Sequence, residues 1–298
     1  MNVAIAGASG LIGSALSAAL RADGHRVSGL VRHASRTAGE IAWDPAKGRL
    51  DPESLAGVDA IVNLSGENVG AGRWTARRRE RILGSRIDAT RTLVLALKAA
   101  PPRPRVFVSA SAVGFYGGRG DEELSERSSP GQGFLPEVCL AWETHAEGAG
   151  RLGLREVRLR FGVVLAREGG ALAKMLPLFR LGLGGRLGGG DQWMSWIALE
   201  DALRAIIAAI ENPAVRGPVN VVAPAPVRNA EFARALGRAL RRPAILPAPA
   251  WALRLAFGRM ADETLLASAR VRPDALRASG FVFRHPLLEP ALHAILRA

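Results

Sequence analysis

Three glycines spaced three apart, Gly7, Gly10 and Gly13, are the residues whose type and spacing most directly indicate chemistry. A run of small and apolar residues at 3–6 precedes the three glycines. Apolar side chains then recur at helical spacing over residues 11–20, a stretch that includes Gly13. Glycine lets the backbone approach another group closely because it has no Cβ atom. The free amides and the positive dipole end of a helix N-terminus favour an anion. The pattern therefore predicts a strand, a turn and a helix that bind a pyrophosphate.

The spacing G-x-x-G-x-x-G places one residue more between its first two glycines than the simplest dinucleotide fingerprint does. A tight turn without a ligand is the alternative interpretation, and the order of strand, turn and helix favours the binding site. We expect a bulky residue at Gly10 or Gly13 to abolish cofactor binding with only a modest loss of stability. The added side chain would fill the space that the pyrophosphate or the helix packing needs.

Arg32 follows the second predicted strand, at 26–31, where an NAD enzyme usually places an acidic residue for the ribose 2′-hydroxyl. An arginine there suits a 2′-phosphate, so the sequence predicts a preference for NADP(H) over NAD(H). Ser35 and Arg36 stand close behind. They could help to hold the phosphate, or they could belong to a solvated basic loop.

The composition of this 298-residue chain indicates one large domain or one and a half. No apolar run reaches the roughly 18 residues needed to span a membrane, so we expect a soluble, cytoplasmic protein. The single cysteine, Cys139, excludes an internal disulfide and a multi-cysteine metal site, and we expect no metal. The net charge is +13, but the arginines are spread along the chain, so we expect no nucleic-acid partner. The excess positive charge would still attract anionic ligands.

Strands predicted at 58–64, 105–109, 156–161 and 217–222 alternate with helices predicted at 86–99 and 135–152. This order is typical of a Rossmann-type, doubly wound parallel sheet, an α/β fold. Ligands of such sheets bind at the carboxyl ends of the strands, so Gly7, Arg32, residues 64–66 and residues 109–111 should share one crevice. We expect residues 1–223 to form this domain and 224–298 a smaller α/β lobe, with 165–199 contributing to the substrate lobe. Residues 182–190 hold six glycines, too many for a helix or strand.

Four segments together resemble the extended short-chain dehydrogenase/reductase superfamily, and within it the atypical epimerase family subgroup with its C-terminal domain of unknown function. They are the glycine turn, Asn63-Leu64-Ser65-Gly66-Glu67-Asn68, the stretch from Ser109 to Gly117, and Trp193-Met194-Ser195-Trp196-Ile197. The resemblance covers nearly the whole chain and implies NADP(H) binding. The resemblance and the strand ends that should share one crevice together predict these cofactor-binding positions: Gly7, Ser9, Gly10, Leu11, Ile12, Gly13, Val31, Arg32, Leu64, Ser65, Gly66, Arg86, Ser109 and Val164.

The chain departs from the superfamily where catalysis is expected. The superfamily uses a tyrosine and a lysine four residues later, the lysine lowering the tyrosine pKa so that the phenolate can move a proton. In this chain Leu135 and Cys139 stand at those positions of the helix. Ser111 falls where the superfamily has its catalytic serine, although the spacing to Tyr116 leaves Ser109 as an alternative.

Cys139 and Glu137 are the candidate replacements for the missing pair. Cys139 could donate a proton or be a small buried apolar residue, and Glu137 could act as acid or base only if it is buried. Trp193 and Trp196 could wall a substrate pocket or pack in the core.

Two functions follow from these residues. One is an NADP(H)-dependent oxidoreductase or epimerase acting on a small substrate, anionic or nucleotide-linked, as a monomer or homodimer. The other is a catalytically weak NADP(H)-binding redox sensor or partner-binding protein.

Overall fold

A computed structural model describes residues 1–100 and 102–297 of the chain. The strands are β1 (Asn2–Ala6), β2 (Arg26–Val31), β3 (Glu40–Asp44), β4 (Arg49–Leu50), β5 (Ala60–Asn63), β6 (Val106–Ala112), β7 (Glu123–Leu124), β8 (Arg155–Phe161), β9 (Val163–Leu165), β10 (Trp193–Met194), β11 (Trp196–Ala198), β12 (Gly217–Val221), β13 (Val227–Arg228) and β14 (Arg270–Val271). The α-helices are α1 (Leu11–Ala22), α2 (Ala76–Ala99), α3 (Phe134–Arg151), α4 (Gly170–Arg180), α5 (Leu199–Glu211), α6 (Asn229–Leu240), α7 (Ala250–Phe257), α8 (Asp274–Ala278) and α9 (Leu288–Arg297).

The main sheet has the strand order β12-β8-β6-β5-β1-β2-β3-β4. Its strands run parallel except β4, which pairs antiparallel with β3. The chain leaves β1 toward β2 on one side and returns to β5 on the other. The crevice at the carboxyl end of β1 is therefore the switch point where such sheets bind ligands. The predicted Rossmann-type, doubly wound α/β fold is confirmed.

Alternate residues of the central strands pack against helices on opposite faces of the sheet. Val3 and Ile5 of β1 belong to one buried cluster together with leucines of α1 and isoleucines of α5. Ala4 and Ala6 belong to a second cluster with Leu93 and other residues of α2 and with alanines of α3. The continuous apolar strands are thus explained by burial on both faces.

A third buried cluster lies within the second half of the chain. It unites α4, α6 and α9 around Phe232, Leu236 and Leu292, and it includes Trp196 of β11. The short helix α8 packs against the edge strand β12. The glycine-rich segment 182–190 lies outside helices and strands, as its composition predicts, and runs beside residues 244–248.

Helix α2 includes both the stretch 86–99 and the arginine-rich run before it, which the sequence also places in a helix. It begins at Ala76, and the Thr75 hydroxyl accepts a hydrogen bond from the Arg78 amide at 3.2 Å as its N-cap. The arginine-rich run 77–81 lies in this first part of the helix. No helix within the described part of the chain combines the length and apolarity that crossing a bilayer requires.

Candidate functional site

The glycine turn joins β1 to α1 as the sequence predicts. Gly7 has a φ of +82°, and a Cβ atom there would lie 2.9 Å from the Leu64 carbonyl carbon and 3.1 Å from the Ser65 nitrogen. Only glycine fits this close approach of two backbones. No side chain caps the first turn of α1, and that turn holds no acidic residue. The amide end of α1 therefore faces the crevice without a protein anion in front of it.

The structure separates the roles of Gly10 and Gly13. A Cβ at Gly13 would lie 2.2 Å from the Gly7 carbonyl oxygen and 2.9 Å from the Ala8 Cα, so any side chain there collides with the protein itself. A Cβ atom at Gly10 would lie 3.4 Å from its nearest neighbour, the Gly7 carbonyl oxygen, and the φ of Gly10 is −77°. The expectation of a modest stability loss therefore holds only for Gly10. Substitution at Gly13 must disturb the turn.

The segment after β5 forms the second wall of the crevice. Leu64 and Ser65 lie against Gly7, while a Cβ at Gly66 would lie 3.0 Å from the Arg86 Cζ. Arg86 of α2 donates hydrogen bonds from Nη1 to the carbonyls of Glu67 at 3.1 Å and Ile82 at 2.9 Å. Its guanidinium also lies 4.9 Å from the centre of the Trp142 ring. Burial lowers the pKa of Arg86 from its ordinary value.

Arg32 and its neighbours lie at the carboxyl end of β2, next to the glycine turn of β1. Val31 is half-buried and Arg32 is exposed. The Ser35 hydroxyl donates to the carbonyls of Thr37 and Glu40, and the Arg36 amide donates to a Glu40 carboxylate oxygen at 2.7 Å. The loop is thus folded on itself. Its arginine side chains reach solvent at the rim of the crevice.

The remaining predicted cofactor positions fall into two groups. Ser9 is exposed at the tip of the turn, Ile12 and Val164 are half-buried against the sheet's core, and the side chain of Leu11 packs on the backbone at Gly169 and Gly170. Ser109, in contrast, is fully buried within β6, and its hydroxyl contacts the Ala110 carbonyl at 3.3 Å. The structure brings the first group to the crevice, whereas the Ser109 side chain lies beneath its surface.

Ser111 belongs to a buried polar network that the sequence did not reveal. Its hydroxyl donates to Glu143 Oε1 at 2.6 Å. Arg160 donates two hydrogen bonds to the same carboxylate, from Nε to Oε1 at 2.8 Å and from Nη2 to Oε2 at 2.7 Å. Glu143 and Arg160 are 3% and 4% exposed. This bidentate pair stabilises both charges in the interior, and it raises the pKa of Arg160.

Tyr116 extends this network away from the crevice. Its hydroxyl donates to Asn220 Oδ1 at 2.7 Å and accepts a hydrogen bond from Arg160 Nη1 at 2.9 Å. The residue is fully buried, and burial raises the pKa of Tyr116 to about 12. The chain's one tyrosine is therefore a neutral structural group.

Cys139 and Leu135 lie on the face of α3 that packs against the 3₁₀ helix Val113–Tyr116. A Cβ at Gly114 would lie 3.3 Å from the Leu135 Cβ and 3.8 Å from the Cys139 sulfur. Burial, reinforced by the nearby Glu143 carboxylate, raises the pKa of the Cys139 thiol to about 11. Glu137 is exposed on another face of α3. Glu137 therefore lacks the burial that a role as acid or base at this site requires.

The two tryptophans lie in different environments. Trp196 is fully buried in the third cluster, and its Nε1 donates to the Ala225 carbonyl at 2.9 Å, so it packs in the core rather than lining the crevice. Trp193 is half-buried between the guanidinium groups of Arg228 and Arg270, at 4.3 and 4.7 Å from its ring centre. Its Nε1 donates to Asp121 at 2.8 Å.

Residues 1–100 and 102–297 contain no group of three or more histidine, cysteine or acidic residues that could hold a metal ion. What they do present at the carboxyl end of the sheet is an uncapped helix N-terminus behind a glycine turn, beside a basic loop. The fold and this site together define a Rossmann-type α/β protein of the dinucleotide-binding kind.

Comparison with known proteins agrees with this class. The profile described as "NAD dependent epimerase/dehydratase family" matches residues 3–222, and one described as "Domain of unknown function (DUF1731)" matches residues 248–295. Epimerase family protein Mb2239 of Mycobacterium bovis is 49% identical over 290 residues, which are 97% of this chain and 96% of that protein. The chain therefore belongs to the NAD-dependent epimerase/dehydratase family.

Two of the solved structures that are similar to this chain match at least 99% of its length. The crystal structure of human epimerase family protein SDR39U1 (isoform2) with NADPH has a TM-score of 0.91 at 36% identity. The match spans all of this chain and 99% of that one. A structure from Corynebacterium glutamicum, described as a nucleoside-diphosphate sugar epimerase, has a TM-score of 0.81 at 36% identity. The match spans 99% of this chain but 58% of that one.

Proposed function

We propose that the protein binds NADP(H) in the crevice between the glycine turn and the segment after β5. The observation that carries the proposal is the backbone contact of Gly7 with Leu64 and Ser65, which leaves the uncapped amide end of α1 open to a pyrophosphate. The human relative, 36% identical, was solved with NADPH, which supports the same cofactor here.

The residues present fit this cofactor. Gly10 has no protein atom closer than 3.4 Å to the place of a Cβ, so a pyrophosphate can approach its backbone. The exposed Arg32 at the end of β2 suits a 2′-phosphate. Val31, Leu64, Gly66, Arg86 and Val164 would shape the rest of the crevice. Arg86 in particular holds the Glu67 carbonyl and so fixes that wall.

Replacement of Gly10 by valine tests the site. The Cβ at Gly10 meets only the Gly7 oxygen, so Gly10→Val should fold and melt nearly as the wild type does, while its branched side chain occupies the pyrophosphate space. We expect NADPH binding, measured by equilibrium dialysis, to become undetectable. The matched control is Gly84→Val within α2, where the nearest atom would be an Asp88 oxygen at 3.8 Å, and it should bind as the wild type does. Tight binding by a folded Gly10→Val protein would show that the pyrophosphate lies elsewhere.

For the reaction, we propose an oxidoreductase or epimerase acting on a small substrate that is anionic or nucleotide-linked. Bound NADP(H) would supply the hydride acceptor or donor. The net charge of +13 favours an anionic substrate, and the similar structure from C. glutamicum is described as a nucleoside-diphosphate sugar epimerase. Ser111 at the end of β6 would contact the substrate as a hydrogen-bond acceptor, because its own proton is donated to Glu143.

A second candidate function is an NADP(H)-binding sensor with little catalysis. The observation that favours it is the chemistry of the α3 face beside Ser111. Leu135 has no proton to move, and the pKa of Cys139 near 11 keeps that thiol neutral at physiological pH. Loss of a general base typically costs about a hundredfold to ten-thousandfold in rate.

A turnover experiment separates the two functions. NADPH fluorescence would be followed on addition of a pooled metabolite extract and of a panel of nucleotide sugars, with product analysis after removal of the protein. An enzyme consumes NADPH irreversibly or forms a new epimer, whereas a sensor gives a change that dialysis reverses. If the wild type turns over, Cys139→Ala tests whether the thiol transfers the proton, and Glu137→Gln, at an exposed carboxylate on another face of α3, serves as the comparison.

We also propose that residues 1–223 form the cofactor domain and 224–298 the smaller lobe, with 165–199 contributing to the substrate side. The third buried cluster, which joins α4 to α6 and α9, supports this division. A reducing cytoplasm suits a protein whose one cysteine is a buried thiol.

A further inference from the structure

The large apolar side chains that the described structure exposes are concentrated in two segments, 169–190 and 232–261. Of twelve such side chains, these segments hold seven: Leu178, Leu181 and Leu183 in the first, and Ile245, Leu246, Trp251 and Leu255 in the second. Apolar side chains scattered singly over a surface need no explanation, but a contiguous apolar patch marks a contact with a partner or a membrane.

Backbone hydrogen bonds hold the two segments side by side. The Leu246 amide donates to the Gly184 carbonyl at 3.2 Å, the Ala248 amide to Arg186 at 2.9 Å, and the Gly188 amide back to Ala248 at 2.8 Å. The exposed leucines near the end of α4 therefore adjoin Ile245 and Leu246. We call the surface formed by these two segments the basic apolar face.

The two segments themselves carry cations only, although exposed carboxylates at Asp262 and Glu289 lie beside them. Segments 169–190 and 232–261 contain eight arginines and one lysine and no aspartate or glutamate. Arg234, Arg238, Arg241 and Arg242 line a surface cavity of about 330 Å³ together with Ile245. Carboxylates from outside the two segments pair with Arg238, Arg254 and Arg259. The described structure therefore leaves six cations of the face without an acidic partner.

Helix α7 adds an aromatic residue to the apolar part. Trp251 and Leu255 are four residues apart, so they project from the same side of the helix, and they are 69% and 71% exposed. Among the described residues Trp251 is the one tryptophan whose side chain is exposed. Tryptophan has an apolar body with a polar tip, and it is favoured at the boundary between lipid and water.

We propose that the basic apolar face docks the protein on an anionic phospholipid bilayer, as a peripheral contact. Arginines interspersed with leucine, isoleucine and tryptophan match such a surface, because the cations pair with headgroup phosphates while the apolar side chains enter the acyl boundary. A second copy of the chain is disfavoured. A two-fold contact would place the same surface on both sides and set the arginines against one another.

Vesicle sedimentation tests the proposal. The wild type is expected to pellet with vesicles of phosphatidylcholine and phosphatidylglycerol at low ionic strength, to be released by high salt, and to remain in solution with phosphatidylcholine alone. Each arginine near an anionic bilayer contributes about fivefold to partitioning, so Arg241→Gln/Arg242→Gln should bind roughly thirtyfold more weakly. Trp251→Glu/Leu255→Glu should abolish binding. The matched control, Leu95→Glu/Arg49→Glu, changes exposed residues outside this face and should bind as the wild type does.

Quenching by brominated phosphatidylglycerol adds a second readout. Wild-type tryptophan fluorescence should be quenched on the vesicles, and Trp251→Phe should lose that quenching while it still pellets. Failure of the wild type to bind anionic vesicles, or equal binding to neutral ones, overturns the proposal. So does sedimentation velocity showing a dimer that Trp251→Glu dissociates, since the face would then be a contact between copies of the chain.

Discussion

The buried ion pair of Glu143 and Arg160 determines what Ser111 can do. Each charge is stable in the interior because the other is held against it by two hydrogen bonds, and the Ser111 hydroxyl is a third partner of the same carboxylate. A serine whose proton is committed in this way is oriented but cannot also donate to a substrate. The pair therefore matters both for the stability of the fold and for the position of the hydroxyl.

Removal of one charge of this pair should be costly. Glu143→Gln leaves the Arg160 guanidinium without its counter-charge, so we expect a loss of about 3 to 5 kcal/mol in the free energy of unfolding, measured by denaturant titration. The matched control is Glu289→Gln, because Glu289 pairs with Arg238 at an exposed site, and it should cost about 0 to 1 kcal/mol. Equal, small losses of unfolding free energy in both variants would show that the buried pair does not stabilise the fold.

Glu156 of β8 should make stability depend on pH. Burial raises the pKa of this carboxyl to about 7, although Arg158 Nε lies 2.9 Å from its Oε1. The folded protein therefore retains a proton that the unfolded chain has lost between about pH 4.5 and 7. Since the folded state binds more protons in that window, the free energy of unfolding falls as pH rises through it, by on the order of 1–3 kcal/mol.

The variant Glu156→Gln removes this titration. Calorimetric melting from pH 5 to 8 should show a flatter profile than the wild type, with the variant the more stable protein at the alkaline end. Arg158 keeps Glu143 and Glu147 as partners in the variant. The exposed Glu168→Gln serves as control and should leave the wild-type profile unchanged. A variant profile as steep as the wild type's would assign the titration to another group.

At the scale of elements, the C-terminal region holds the start of α3. Glu263, in the π-helix Ala261–Leu265, accepts a hydrogen bond from the Leu135 amide at 2.8 Å. Gly133 begins the helix with a φ of +119° and offers no side-chain cap. A carboxylate from a distant part of the chain thus replaces the missing cap, and its negative charge interacts favourably with the positive end of the helix dipole. It also fixes the helix that carries Leu135 and Cys139 beside the crevice.

Glu263→Ala should therefore lower the free energy of unfolding by about 1 kcal/mol, as loss of an N-cap does. Arg259→Ala is the control, since Arg259 is exposed and contacts Glu263 only as an ion pair at 3.5 Å. Its effect should be within about 0.5 kcal/mol. A loss in Arg259→Ala as large as that in Glu263→Ala would mean that the ion pair, not the cap, is what stabilises α3.

The elements that the sequence predicted are those buried on both faces or strongly periodic. Strands β1, β2, β5, β6 and β12 were predictable because they are short, mostly apolar runs bounded by turn residues, and β8 because apolar and charged residues alternate along it. Strand β3, at Glu40–Asp44, was not predicted, although its buried residues alternate with less buried ones as in a half-buried strand. Helix α4 begins at Gly170 and contains Pro177, so its sequence carries helix breakers and tertiary packing decides its form.

At the scale of the whole molecule, the sheet topology brings together what the chain separates. The glycine turn and Arg32 were predictable because each is tied to the end of a strand whose place in the sheet follows from the fold. The network of Glu143 and Arg160 was not, because it needs α3 and β8 to be packed against β6. One signal was available, since Glu143 lies one turn after Cys139 on the same face of α3.

Calorimetric titration of NADPH and NADH into wild-type protein tests the central claim most directly. One charge-assisted contact with the 2′-phosphate is worth about 1.5 to 3 kcal/mol, so NADPH should bind roughly ten to a hundred times more tightly than NADH. Arg32→Asp should abolish that preference, whereas Arg26→Asp, at the opposite end of β2, should keep it. Equal affinities for the two cofactors in the wild type, or an unchanged preference in Arg32→Asp, would contradict the account.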